Sequence, residues 1–85
     1  MNKHEEYVET VRELNELKDK LNKRVKRCNY LHQRMKVMVR CKNREQAHAY
    51  TCRINWHKPK ILGTLERIEE LEGKLESMPR KWIVD

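Results

Sequence analysis

Two pairs of metal-capable side chains stand at helical spacing in this 85-residue chain. Cys28 precedes His32 by four residues and His48 precedes Cys52 by four, so each pair would sit one turn apart on one face of a helix. An antiparallel hairpin with its midpoint near residue 40 would gather all four into a Cys2His2 site able to hold Zn²⁺ tetrahedrally. Residues 38–41, Met-Val-Arg-Cys, contain no turn former, however. A turn at Asn43 would instead face Cys28 and His32 toward residues near 54–58, where His57 and Cys52 come into reach. The competing expectation is that Cys28 and Cys52 serve as small hydrophobes and the histidines as exposed or seam-polar residues, with no metal or other cofactor bound.

Anion binding is the second chemistry. Residues 18–60 carry fourteen Lys or Arg and two Asp or Glu, while 1–17 carry two bases and five acids and 61–85 carry four bases and six acids. The acidic ends cannot neutralise the middle, so a basic surface is expected to remain. Lys20, Arg27 and Arg34 recur every seven residues, and Lys23, Arg24, Arg53, Lys58 and Lys60 extend the run. A phosphate backbone rewards such a stripe through counterion release, with little demand on geometry. An acidic protein surface would satisfy the same charges. Within Arg-Ile-Asn-Trp-His-Lys-Pro-Lys, Trp56 lies among Arg53, His57, Lys58 and Lys60. An indole there either stacks on an unpaired base or covers the core.

No nucleophile signature, P-loop or dinucleotide glycine pattern is present, and the expectation is that the protein is not an enzyme. No apolar run approaches the ~20 residues that cross a bilayer, and the start lacks a signal-peptide hydrophobic region. Three cysteines cannot all pair internally. Reduced thiols and a cytoplasmic location follow as expectations.

These side chains need helices to position them. Ala, Glu, Lys, Arg and Leu fill 41 of the 85 positions, whereas Gly and Pro fill four. Asn2 with Glu5 resembles a capping box, and Tyr7, Val11, Leu14, Leu21, Val25, Cys28, Met35 and Val39 follow a 3.5-residue repeat. Lys18 and His32 fill its two remaining positions, and Leu17, Leu31 and Met38 widen it. The pattern predicts a helix over about 3–42, with continuation to 56 as the alternative. Asn43 is the first break, able both to take a left-handed conformation and to cap a second helix of about 44–56. His57-Lys58-Pro59 predicts a firmer boundary. Ile61, Leu65, Ile68, Leu71, Leu75 and Met78 predict a C-terminal helix of about 60–78, and residues 79–85 read as a short non-helical apolar tail.

The chain therefore reads as one all-α module over 1–85, a helical hairpin or a three-helix, coiled-coil-like bundle. A seam of Leu14, Leu21, Val25, Cys28 and Met35 is expected to give a homodimer. The expected function is association with nucleic acid or a nucleoprotein complex through the basic middle. The alternative is an adaptor or inhibitor that docks an acidic protein surface, of the kind found among small accessory proteins of viruses and mobile elements.

Overall fold

The computed structural model describes residues 2–83. Two long helices, α1 (Lys3–Arg40) and α2 (Arg44–Ser77), pack antiparallel, and a single turn, α3 (Arg80–Ile83), follows them. The hairpin is a rod of 60 × 18 × 16 Å, close to the ~57 Å that a helix of α1's length spans at 1.5 Å per residue. Among the described residues no helix is long and apolar enough to cross a membrane.

Local chemistry sets the ends of α1. The Glu5 N–H donates to Asn2 Oδ1 at 2.8 Å, and Asn2 Nδ2 donates back to the Glu5 carboxylate at 3.3 Å. The helix stops at Arg40, two residues before the expected end, in a Schellman closure: the Asn43 N–H donates to the Met38 carbonyl at 2.9 Å and the Lys42 N–H to that of Val39 at 3.0 Å. Lys42, not Asn43, takes the left-handed conformation, with φ 58°. Asn43 caps α2 instead, its Oδ1 accepting from the Gln46 N–H at 3.1 Å.

The second helix departs from the sequence expectation. In place of two helices divided at His57-Lys58-Pro59, α2 runs unbroken through Pro59. Pro59 has no N–H for the Asn55 carbonyl, which weakens that turn. Its ring lies on the exposed side, and the inward-facing stripe keeps step on both sides of it: Ile54, His57, Ile61, Thr64, Ile68 and Leu71 are all buried or half-buried. Continuous packing on α1 holds the helix together where local propensity would end it.

Burial also defines the seam. On α1 it runs Tyr7, Thr10, Leu14, Leu17, Leu21, Arg24, Cys28, Leu31, Met35 and Met38, at alternating steps of three and four. On α2, Ala47, Tyr50, Ile54 and His57 begin the matching row, which ends at Leu75 and Met78. The rows mirror each other about the turn, so Leu31 meets Ile54 in one cluster and Leu14 meets Leu71 in another. Val11, Lys18, Val25, His32 and Val39, expected in the seam, each stand one residue beyond the buried row, about 100° further round the helix. Leu17 and Leu31 outcompete them because each buries a larger apolar side chain than Lys18 or His32 can.

Leu14, Leu21, Cys28 and Met35 are thus covered by α2 of the same chain and not held open for a second copy. Val25 lies on the flank, 36% exposed. Two apolar clusters result, one of Leu14, Ile68 and Leu71 toward the termini and one of Cys28, Leu31 and Ile54 toward the turn. Arg24 and His57 occupy the seam between them.

The tail is partly helical, contrary to expectation. The Trp82 N–H donates to the Pro79 carbonyl at 2.9 Å, closing α3. Trp82 folds back on the start of α1, its carbonyl 3.1 Å from His4 Nδ1 and its ring 5.0 Å from the Lys3 ammonium. Ile83 stays exposed, and Val84 and Asp85 lie outside the described residues.

Candidate functional site

Folding the chain at residues 41–43 sorts its charge along the rod. The acidic ends meet at the open end of the hairpin, where Lys74 pairs with Glu6 at 3.3 Å, Arg67 with Glu13 at 3.0 Å and Lys18 with Glu72 at 3.5 Å. The basic middle folds onto itself around the turn.

One flank of the hairpin makes the consequence explicit. Glu6–Lys74 and Glu13–Arg67 lie on this flank, seven residues apart on each helix. The next two heptad steps toward the turn set Lys20 opposite Lys60 and Arg27 opposite Arg53. A register that is attractive at the open end becomes repulsive in the middle. Among the described residues no carboxylate lies in ion-pair range of Lys20, Arg24, Arg27, Arg53 or Lys60. Lys23 reaches Asp19 at 3.2 Å, an exposed i,i+4 pair that contributes little.

Trp56 stands on this flank. It is 56% exposed, so it does not cover the core. Arg53, Trp56 and Lys60 lie one turn apart along α2, and the Lys60 ammonium sits 3.1 Å from the indole centroid, with the Arg24 guanidinium at 6.0 Å. The His57 ring meets the indole edge-on, at 4.9 Å and 84°. Two shallow cavities share Trp56 and His57. One, of about 390 Å³, is lined by Lys20, Lys23 and Arg24; the other, of about 260 Å³, is lined by Arg27, Leu31 and Arg53.

Arg24 Nη1 donates to His57 Nδ1 at 3.3 Å. A guanidinium can only donate, so this contact requires the neutral imidazole, with Nδ1 as the acceptor. Burial, followed by the charges of Arg24, Arg27 and Lys60, pushes its pKa below the ordinary histidine value.

Seven of the nine residues expected to bind an anion come together here: Lys20, Lys23, Arg24, Arg27, Arg53, Trp56 and Lys60. Arg34 does not join them. It is half-buried near the turn, where its Nε is buried without a partner and neighbouring Tyr50 raises its pKa above the ordinary arginine value. Lys58 lines neither cavity; it lies two residues from Trp56, about 200° around the helix. His57, considered in the sequence as a fallback ligand and as a neighbour of Trp56, lines both cavities and holds the hydrogen bond from Arg24. The signal was the heptad step from Ile54 through His57 to Ile61, hidden by reading Pro59 as a boundary.

The four zinc candidates do not converge. The mirror point of the hairpin falls between residues 42 and 43, which puts Cys28 in the seam against Leu31 and Ile54. His48 and Cys52 occupy the outer side of α2, exposed, with Nε2 and Sγ 3.5 Å apart. Among the described residues no three His, Cys, Asp or Glu side chains gather as a metal site.

Comparison of the chain with protein-family models, with curated proteins and with solved structures returns no match.

Proposed function

We propose that the protein is a small binding module, not an enzyme, that associates with nucleic acid or a nucleoprotein complex through the cationic flank of its hairpin. The supporting observation is the like-charge register, Lys20 opposite Lys60 and Arg27 opposite Arg53, beside the guanidinium of Arg24, which has no carboxylate in ion-pair range among the described residues. Cations held together without carboxylates destabilise a hairpin unless an external anion neutralises them, and a polyphosphate chain does so along the whole flank. Recognition on this reading is largely independent of base sequence, because nothing in the sequence resembles a base-reading motif. The function needs no cofactor. Cys28, Cys41 and Cys52 are free thiols, in keeping with action in the reducing cytoplasm.

An acidic protein surface is the second reading. The apolar tail offers it little, since Trp82 is engaged with Lys3 and His4. The homodimer expected on the first helix loses its seam to α2, so the single hairpin is the proposed binding unit.

Fluorescence anisotropy with a labelled oligonucleotide tests the proposal. Neutralising four or five phosphates predicts a slope of roughly −3 in log K against log salt for a single strand. Absence of binding at low salt would remove the reading and promote the acidic protein partner.

A further inference from the structure

Building on that reading, we propose that the Trp56 patch selects unpaired nucleic acid, with one base stacked on the indole and its neighbouring phosphates held in the two cationic cavities. A basic flank alone would serve a duplex as well as a single strand, since both present phosphates. An exposed indole adds a different contact. The bases of a duplex are already stacked on one another, so only a splayed base can lie against Trp56.

Three features of the patch fit this division of labour. Trp56 is the apolar element shared by both cavities, with Lys20, Lys23 and Arg24 on one side and Arg27 and Arg53 on the other. A strand crossing the indole therefore meets cations before and after the stacked base. The indole face is already used by a cation: the Lys60 ammonium lies 3.1 Å from its centroid and has no carboxylate in ion-pair range among the described residues. A base replaces the ammonium on the ring, and Lys60 moves to a phosphate, so the cation gains a full charge partner in the exchange. The spacing also suits an extended strand. Lys20 and Arg27 are two turns apart, about 10 Å along α1, with the ring between them.

The test uses the full chain with Trp82→Phe, which leaves Trp56 as its only indole. Oligothymidylate and oligouridylate are compared with a mixed-sequence DNA duplex of equal length at low salt, following both Trp56 fluorescence and the anisotropy of labelled strands. The expected result is quenching of Trp56 by the single strands, little by the duplex, and single-strand binding at least ten-fold tighter. Trp56→Ala should weaken single-strand binding about ten-fold or more, leave duplex binding and helicity unchanged, and be largely rescued by Trp56→Phe. Single-strand affinity unchanged in Trp56→Ala, or equal quenching by the duplex, overturns the stacking proposal. In that event the broader reading still stands if Arg27→Glu weakens binding of both ligands ten-fold or more. Failure of the unsubstituted chain to bind either ligand overturns both.

Discussion

Arg24 donates a hydrogen bond across the seam to the ring of His57, at 3.3 Å, in the layer that divides the two apolar clusters of the hairpin. The bond requires a neutral imidazole, and Arg24 and Arg27 from α1 and Lys60 from α2 all oppose a positive charge on it. The folded chain therefore binds a proton at His57 less readily than the unfolded chain, whose histidine titrates near 6.5. Stability from this residue is fully present above that value and is lost as pH falls through the lowered folded value. Urea midpoints should drop between pH 7.5 and 5, before most carboxylates titrate. His57→Gln, which keeps an acceptor for Arg24 but cannot titrate, should flatten that part of the curve. An equally steep drop in the variant would mean that His57 is not the source of the pH dependence.

Pro59 gives a prediction of opposite sign to its usual role. In a helix interior it removes one hydrogen bond and costs up to roughly 3 kcal/mol relative to Ala. Since α2 continues through it with its ring exposed, Pro59→Ala should restore a donor for the Asn55 carbonyl without disturbing the seam. Thermal unfolding should show a gain of roughly 1–3 kcal/mol. A loss would mean that α2 depends on the bend a proline imposes.

The hairpin could be read from the sequence wherever a local signal and the packing pattern agree, as at Asn2, at Asn43 with Gln46, and along Leu14, Leu21, Cys28 and Met35. It could not where they compete. Thr10 and Arg24 are poor seam residues by composition, and Val11 and Val25 better ones. The structure chooses the former row because Leu17, Leu31 and Met38 share it and face Ile68, Ile54 and Ala47 on α2. That choice needs both helices, so α1 alone does not reveal it. Pro59 misleads in the same way, as a local breaker overruled by a continuous partner. The cationic site was visible as composition, but the opposition of Arg27 to Arg53 depends on the register, which only the position of the turn sets.

The turn carries a small, removable strain. Lys42 holds φ 58°, a left-handed conformation that costs a side-chain-bearing residue about 1 kcal/mol relative to Gly. Lys42→Gly should raise stability by about that amount, with Lys42→Asn falling between. Gly63 and Gly73 offer the converse case. Both lie inside α2 without positive φ, and a Cβ at either would meet open space. Each change to Ala should add roughly 0.5–1 kcal/mol. Urea midpoints of the single variants and of the combined variant measure both effects. Destabilisation by Lys42→Gly would mean that its side chain, and not its backbone, holds the turn.

The cationic flank predicts a trade between stability and binding that neither a solvated helix face nor a purely structural role would show. Arg27 faces Arg53 where, two heptads toward the termini, Glu13 faces Arg67 in a 3.0 Å ion pair. Arg27→Glu should convert repulsion into the same attraction, raising stability by up to about 1 kcal/mol at low salt. The same change places a negative charge beside Trp56 and removes a phosphate contact, so oligonucleotide affinity should fall ten-fold or more and the salt dependence should become shallower. Paired urea titrations and anisotropy measurements on Arg27→Glu and Arg27→Ala separate the two terms, since Ala removes the repulsion without adding attraction. A variant that loses stability and binding together would show that Arg27 serves the fold. One that gains stability and keeps its affinity would mean that the like-charge register has no bearing on the ligand.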